Sequence, residues 1–141
     1  MDQSLFDTSK PAHVHALERL QSDIIIWLGT VRPDGRPHLV PVWFLWDGQT
    51  ILIFSKPDQK IRNLRQNPAV MLGLDDTDTG EDVLLIEGTA ELLPAGQVAP
   101  TLPAYAAKYM PKLAEMHWTP ASMAGEYTEP IRITPTRVRI G

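Results

Sequence analysis

The sequence predicts a mainly β protein of the α+β class, in which six antiparallel strands form a barrel flanked by helices. Between residues 24 and 54, three runs of β-branched and apolar residues are separated only by Pro33-Asp34-Gly35 and Asp47-Gly48, which are turn sequences. Helical patterns interrupt the strands at three places, whereas a parallel sheet needs crossover helices throughout. The antiparallel arrangement is therefore favoured.

The composition is that of one globular domain, expected over residues 1–141. Apolar residues make up 43% of the chain and charged residues 21%, which is ordinary for a globular protein. The formal net charge of −4 argues against a nucleic-acid partner, because such domains usually carry a basic excess. The chain has no cysteine, which excludes disulfides, thiolate metal sites and Cys nucleophiles.

Targeting and metal-binding patterns are also missing from the sequence. No segment approaches the ~20 apolar residues of a membrane span, and the N-terminus lacks the pattern of a signal peptide. We therefore expect a cytoplasmic protein with no membrane partner. The four histidines lack metal-ligand spacing and the acidic run 75–82 does not match a calcium loop, so no metal is expected.

The first helix and the first strand follow from their apolar patterns. Pro11–Gln21 is predicted as a helix, because Pro suits a first turn and Val14, Leu17 and Leu20 fall on one face. Ile24–Val31 is β-branched and apolar, which predicts a buried strand.

The second strand is predicted over His38–Trp46, with Pro41 as an irregularity typical of an edge or a bulge. The two-residue period of a strand puts Trp43 and Trp46 on opposite faces. One of them is expected in the core, and the other on a cofactor or dimer surface. The third strand is predicted over Thr50–Phe54.

A helix is predicted over Pro57–Gln66, with Ile61 and Leu64 pointing inward at helical spacing. The remaining predicted segments are a fourth strand at Val70–Leu74, an acidic loop at Asp75–Asp82, a fifth strand at Val83–Leu92, short helices and loops over Pro94–Tyr127, and a sixth strand at Ile131–Ile140.

Five segments occur in a recognisable order: GTVRPDGRPHLVPVWF (29–44), a strand ending at Ser55, KIRNL (60–64), NP (67–68) and EGTAEL (87–92). This order resembles the pyridoxamine 5′-phosphate oxidase-like split β-barrel flavoproteins, and the short members that use the deazaflavin coenzyme F420 in particular. The resemblance covers residues 10–93 and, loosely, the last strand. It implies a split barrel and a homodimer with cofactor sites at its interface.

The resemblance also implies where the cofactor lies. The ring system is expected against the second strand, at Val40, Pro41, Val42 and Trp43. The phosphate is expected near the start of the following helix, where free N–H groups and basic side chains favour an anion. The residues implied there are Ser55, Lys56, Lys60, Arg62 and Asn63, of which Ser55 and Lys60 match the family's small hydroxyl and basic positions.

The sequence departs from the vitamin B6 oxidases of this family at their phosphate-binding positions. Val40 and Leu45 stand where those oxidases carry Arg and Lys, and their Ser-Arg-Lys triplet is Asp58-Gln59-Lys60 here. A phosphate dianion held by one Lys is bound more weakly than one held by Arg pairs. Vitamin B6 oxidation is therefore not expected, and F420 is favoured over FMN.

Several of these residues have a simpler interpretation. Lys56 and Lys60 are also what a solvated helix face would contain, and Ser55 is also a suitable N-cap before Pro57. His38 is expected to be a surface residue at a strand end rather than a base.

Two functions are predicted, beside the simpler option of a dimeric protein whose pocket is vestigial. The first is an F420- or FMN-dependent oxidoreductase that transfers hydride between the coenzyme and a small organic substrate. The second is a non-catalytic FMN-, F420- or tetrapyrrole-binding protein. No catalytic acid, base or nucleophile is identified, which fits both functions because the coenzyme supplies the reactivity. The dimer is expected because strand surface such as the Val42–Trp46 face would otherwise be exposed.

Overall fold

A computed structural model describes residues 5–75, 78–94 and 102–140. In these ranges the elements are α1 (Pro11–Ser22), β1 (Ile26–Val31), β2 (Pro37–Val42), β3 (Leu45–Trp46), β4 (Ile51–Ser55), α2 (Gln59–Gln66), β5 (Ala69–Leu74), β6 (Leu84–Leu92), α3 (Leu102–Glu115), α4 (Pro120–Glu126) and β7 (Glu129–Ile140). None of the helices in the described ranges is long and apolar enough to cross a membrane.

The strands form one antiparallel sheet in the order β2-β1-β5-β6-β7-β4-β3. Val42 and Trp46 come from the strands at the two opposite edges, yet both pack into the same hydrophobic core. The sheet therefore curls into a half-barrel around that core. This confirms the predicted α+β class, antiparallel sheet and flanking helices.

The prediction of six strands was wrong, since seven are present in the described ranges. The predicted strand His38–Trp46 is two strands separated at Trp43 and Phe44. The first half pairs with β1 at one edge of the sheet and the second half pairs with β4 at the other edge. For the same reason the three apolar runs between residues 24 and 54 are not three consecutive paired strands, because the chain crosses between the two edges here.

The strand break is held by hydrogen bonds between side chains of α3 and the backbone of the break. The Phe44 N–H donates to the Tyr109 hydroxyl at 2.8 Å, and Lys108 Nζ donates to the Phe44 carbonyl oxygen at 2.8 Å. The Tyr109 hydroxyl also lies 2.7 Å from the carbonyl oxygen of Ile24. Buried peptide groups that leave a sheet need such partners. Pro41 lies in an edge strand of the described sheet, where a missing N–H is tolerated.

The half-barrel core consists of inward residues from all the longer strands, and α1 packs against it. Leu20 of α1 is fully buried, Leu17 is half-buried, and Ala16 is buried between them. Val14 is 39% exposed, so the predicted apolar face of this helix was partly wrong. The face that packs is formed by Ala16, Leu17 and Leu20.

The segment predicted as short helices and loops contains a 14-residue helix, α3, followed by the shorter α4, while residues 95–101 lie outside the described ranges. Tyr105, Tyr109 and Leu113 form a buried stripe at helical spacing on α3. This stripe packs against Trp43 and Leu45 at the strand break, while Phe44 and Trp46 are buried in the half-barrel core. The prediction that the Val42–Trp46 face is exposed was therefore wrong.

Candidate functional site

A cavity of about 430 Å³ lies between the strand break and the pair α3 and α4. Its sheet side is formed by the end of β2, Pro41 to Trp43, and by Phe54 and Ser55 at the end of β4. The helices contribute the opposite side. This is the size range of small-molecule sites in proteins.

One wall of the cavity is aromatic. The Trp43 ring stacks on Tyr109 with a centroid distance of 4.3 Å and an interplanar angle of 2°. Tyr105 meets Phe54 edge-on at 4.7 Å. Burial raises the pKa of both Tyr105 and Tyr109, so both phenols are neutral. Such a wall suits a flat, apolar ring system.

The C-terminal end of α3 and α4 close the helical side. Trp118 and Tyr127 both line the cavity, with their ring centroids 6.3 Å apart. Two thioether side chains, Met116 and Met123, also line it. Met116 is 48% exposed, so it lies toward the entrance, whereas Met123 is buried.

The other end of the cavity is polar and lies where β4 leads into α2. Lys60 Nζ donates to Asp58 Oδ2 at 2.6 Å. Asp58 Oδ1 accepts a hydrogen bond from the Lys60 backbone N–H at 3.1 Å and therefore caps α2. The Ser55 hydroxyl donates to the Lys56 carbonyl oxygen at 2.7 Å and lies 3.4 Å from Asp58 Oδ1.

A second ion pair borders this polar end. Lys56 Nζ lies 3.4 Å from Glu126 Oε1 and 5.3 Å from the centre of the Tyr127 ring. Both charged side chains of this pair are about half exposed, so the contact is screened by solvent. The two lysines of the cavity are thus each matched by a carboxylate.

The structure brings six of the nine predicted site residues to the cavity. They are Pro41, Val42, Trp43, Ser55, Lys56 and Lys60. The interpretation of Lys60 as a solvated helix residue was wrong, because it is 9% exposed and paired with Asp58. The interpretation of Ser55 as the helix N-cap was also wrong, because Asp58 holds that position.

The other three predicted residues, Val40, Arg62 and Asn63, lie outside the described cavity lining. Asn63 is fully buried and donates to the Thr30 hydroxyl at 2.9 Å, which ties α2 to β1. Arg62 is exposed and donates to the Gln59 side-chain carbonyl at 2.8 Å. The contact of Arg62 and Asn63 with a phosphate, and that of Val40 with the ring system, remain predictions.

The sequence interpretation missed the residues that α3 and α4 contribute. Tyr105 and Tyr109 are four residues apart, and Leu113 follows at the same spacing, which is an amphipathic helical signal. Pro111 within that run obscured it, because Pro is disfavoured in helix interiors. Asp58 was noted only as a departure from a family triplet, although Asp before a helix is a strong N-cap signal.

His38 lies on the inward side of β2, opposite Thr30 of β1. Its Nδ1 atom is buried without a hydrogen-bond partner. Burial, followed by the positive charges of Arg32 and Lys60, lowers the pKa of its imidazole, so the ring is neutral at pH 7.

Within the described ranges, no group of three or more His, Asp or Glu side chains is arranged to hold a metal ion.

Comparison with known proteins identifies the family. A family model described as pyridoxamine 5′-phosphate oxidase matches residues 13–140, which is most of the chain. The chain belongs to this family. A solved structure named as an F420 reductase is 29% identical, with a TM-score of 0.67 over 86% of this chain and 94% of that chain.

More distant structures share the fold of this family. An FAD-binding protein from Mesorhizobium loti is 21% identical, with a TM-score of 0.68 over 89% of this chain and 90% of that chain. A heme storage protein from Vibrio cholerae is 17% identical, with a TM-score of 0.70 over 90% of this chain and 92% of that chain. At these identities the likeness concerns the fold alone.

Proposed function

We propose that this chain is an oxidoreductase that binds F420 in the cavity and transfers hydride between that coenzyme and a small organic substrate. The observation that carries the proposal is the layout of the cavity, which has an aromatic wall at one end and buried Lys60 at the other. This layout suits a flat ring joined to a phosphate group. The similarity to a structure named as an F420 reductase supports the choice of coenzyme.

The charge balance of the polar end favours F420 over FMN. Lys56 and Lys60 are offset by Glu126 and Asp58, so these four side chains sum to zero. FMN ends in a phosphate monoester with nearly two negative charges at pH 7, whereas F420 carries a phosphodiester with one. The residues present fit the single charge better, because each added negative charge near a carboxylate is repelled.

The extended tail of F420 carries carboxylates and needs exposed cations at the cavity mouth. Lys56 lines the cavity and is half exposed, which makes it suitable for that contact. Arg36 is exposed but pairs with Asp34 at 2.7 Å, outside the described lining. We therefore assign the tail contact to Lys56 rather than to Arg36 or Arg62.

In this function the protein binds and orients the coenzyme and keeps water from the ring. When bound, F420 supplies the two-electron hydride chemistry. Trp43 offers a flat surface for the ring, and Tyr105 keeps that surface dry because it is almost fully buried. Lys60 and Ser55 anchor the phosphate end, so that the position of the ring along the cavity is fixed.

A non-catalytic binding protein for F420, FMN or a tetrapyrrole is the second candidate. It is favoured by the polar groups of the described lining. The carboxylate there, Asp58, is tied to Lys60, and the Tyr105 phenol is kept neutral by burial. Neither is suited to move a proton over the ring at neutral pH.

We further propose that the protein is a homodimer with its cavities beside the interface. Leu39, Trp27 and Met71 are 63%, 38% and 43% exposed. Gly29 pairs with Leu39 on one side and with Met71 on the other, so these side chains form one apolar row on the outer face of the sheet. Pro41 lies opposite Trp27 and lines the cavity, which places the cavity next to this row.

Hydride transfer can be tested in a single turnover. Protein in excess over reduced F420 is mixed with candidate acceptors, and the visible absorbance of the oxidised coenzyme is followed. One equivalent of coenzyme oxidised per equivalent of acceptor reduced supports the oxidoreductase. Tight binding without oxidation across the acceptors would favour the binding protein. No saturable binding of F420 would overturn the oxidoreductase and would leave a binding protein for FMN or a tetrapyrrole.

A further inference from the structure

The carboxylate of Asp58 accepts hydrogen bonds both at the start of α2 and from the buried cation of the cavity, Lys60. Its Oδ1 caps the helix by accepting the Lys60 N–H at 3.1 Å, and its Oδ2 accepts Lys60 Nζ at 2.6 Å. A helix cap needs only a neutral oxygen, which Asn or Ser supplies equally well. The negative charge of Asp58 is therefore not required for capping, and it pairs with Lys60 Nζ.

Both side chains of this pair line the cavity, and the cation is the more buried of the two. The Lys60 side chain is 11% exposed, whereas the Asp58 side chain is 42% exposed. An anion bound at the polar end therefore lies close to the carboxylate as well as to the ammonium group. Ser55 Oγ, 3.4 Å from Asp58 Oδ1, also lines this end. The arrangement differs from an open anion site, in which unpaired cations face the ligand.

We propose that Asp58 is a specificity-determining residue that selects ligands by the charge of their phosphate, admitting a phosphodiester monoanion and rejecting a phosphate monoester dianion. The inference rests on the proposed binding of an F420-type coenzyme in this cavity. Asp58 neutralises the positive charge of Lys60 in an ion pair. A phosphodiester monoanion can share the ammonium group, whereas a phosphate dianion is repelled by the carboxylate of Asp58. The second lysine, Lys56, is assigned to the tail at the cavity mouth, and Glu126 offsets its charge.

The test variants remove the negative charge of Asp58 and keep an oxygen that can cap α2. Asp58→Asn retains an oxygen for the Lys60 N–H, and Asp58→Ser provides a second variant with an equally good cap should the first fold poorly. The control is Asp47→Asn, because Asp47 also accepts backbone N–H groups, from Gln49 and Thr50, but lies in the β3–β4 turn away from the cavity. Thermal unfolding without ligand checks that each variant is folded.

Dissociation constants are measured by fluorescence titration with riboflavin, FMN and F420, since riboflavin carries no phosphate. We expect the wild type to bind FMN no more tightly than riboflavin. Asp58→Asn or Asp58→Ser should bind FMN at least tenfold more tightly, with riboflavin changed less than twofold, and Asp47→Asn should match the wild type.

An equal change for riboflavin and FMN, or no change for FMN, would overturn the role of Asp58 while leaving F420 binding intact. Failure of the wild type to bind F420 would overturn the proposed function itself. The two failures are thus distinguished within one set of titrations.

Discussion

Lys108 has a clearly perturbed pKa in the folded protein. Its Nζ atom donates to the Phe44 carbonyl oxygen at 2.8 Å and lies 3.7 Å from the centre of the Phe44 ring. Burial lowers the pKa of Lys108 to about 8, and the negative charge of Asp23 opposes this shift. The cation thus holds the strand break together at an electrostatic cost.

This perturbation predicts a pH-dependent stability. Because the pKa of Lys108 is about 8 in the folded protein and 10.5 in the unfolded chain, the unfolded chain binds more protons between those values. The free energy of unfolding should therefore rise as the pH increases from 8 towards 10. Above pH 10, ionisation of Tyr105 and Tyr109 in the unfolded chain opposes the rise, since burial raises both of their pKa values.

Urea unfolding at pH 7.5, 8.5 and 9.5 measures the effect. Lys108→Met should remove most of the rise. The control is Lys112→Met, because Lys112 is a half-exposed residue of the same helix that pairs with Glu115. A rise of equal slope in the wild type and in Lys108→Met would show that another group is responsible.

At the scale of elements, the sequence predicted what depends on local pattern and missed what depends on tertiary contacts. The hairpin turns at Gly35 and Gly48 were predicted, and both glycines have a positive φ, of 91° and 99°. The division of His38–Trp46 into two strands was not predicted, because its apolar run is continuous. The break depends on Tyr109 and Lys108, which lie more than 60 residues later in the chain.

The same distinction applies to the candidate site. Ser55 and Lys60 were found because they lie on one short strand-to-helix connection, where local order and family resemblance coincide. Trp118 and Tyr127 were not found, because nothing local to residues 94–127 relates them to the sheet. The pairing of Lys60 with Asp58 was also missed, since residue type alone does not show which cation is buried.

The bulge between β6 and β7 gives a prediction for a single element. The register shifts between Glu87 and Gly88, and a Cβ at Gly88 would lie 2.8 Å from the Thr134 carbonyl oxygen and 2.9 Å from Ile133 Cγ2. Gly88→Ala should therefore lower the free energy of unfolding by about 1–3 kcal/mol, the scale of overpacking. Denaturant titration measures this loss.

Gly125 of α4 is the matched control, because a Cβ there meets nothing within 4 Å. Gly125→Ala should raise the stability by roughly 0.4–1 kcal/mol, since Ala restricts the unfolded chain and favours a helix. Opposite signs for the two substitutions are expected. A neutral Gly88→Ala would show that the sheet can shift at the bulge without loss.

At the scale of the whole molecule, the half-barrel leaves an apolar row on its outer face, formed by Leu39, Trp27 and Met71. Clustered exposed apolar side chains of this kind mark interaction surfaces. A symmetric dimer would cover the same row on both copies. The proposed interface is therefore on the β2-β1-β5 side of the sheet rather than on the Val42–Trp46 face.

Charging this row should weaken the dimer without unfolding the chain. Leu39→Glu places a carboxylate at the most exposed position of the row, so dimer dissociation should increase at least tenfold in sedimentation velocity at micromolar concentration. Met110→Glu is the control, because Met110 is 48% exposed on α3, away from this face. A wild-type monomer, or a dimer weakened equally by both substitutions, would contradict this interface.

We propose that the cavity binds F420 with Lys60 at its phosphate end. The measurement that tests it most directly is a fluorescence titration of F420 into the wild type, Lys60→Met and the control Lys112→Met. Saturable binding is expected for the wild type, weakened at high salt through the exposed tail contact of Lys56. Lys60→Met should lose about 1.5–3 kcal/mol of binding free energy, the scale of a charge-assisted hydrogen bond, and Lys112→Met should lose none. Wild-type affinity in Lys60→Met, or no saturable binding of F420 to the wild type, would contradict the account.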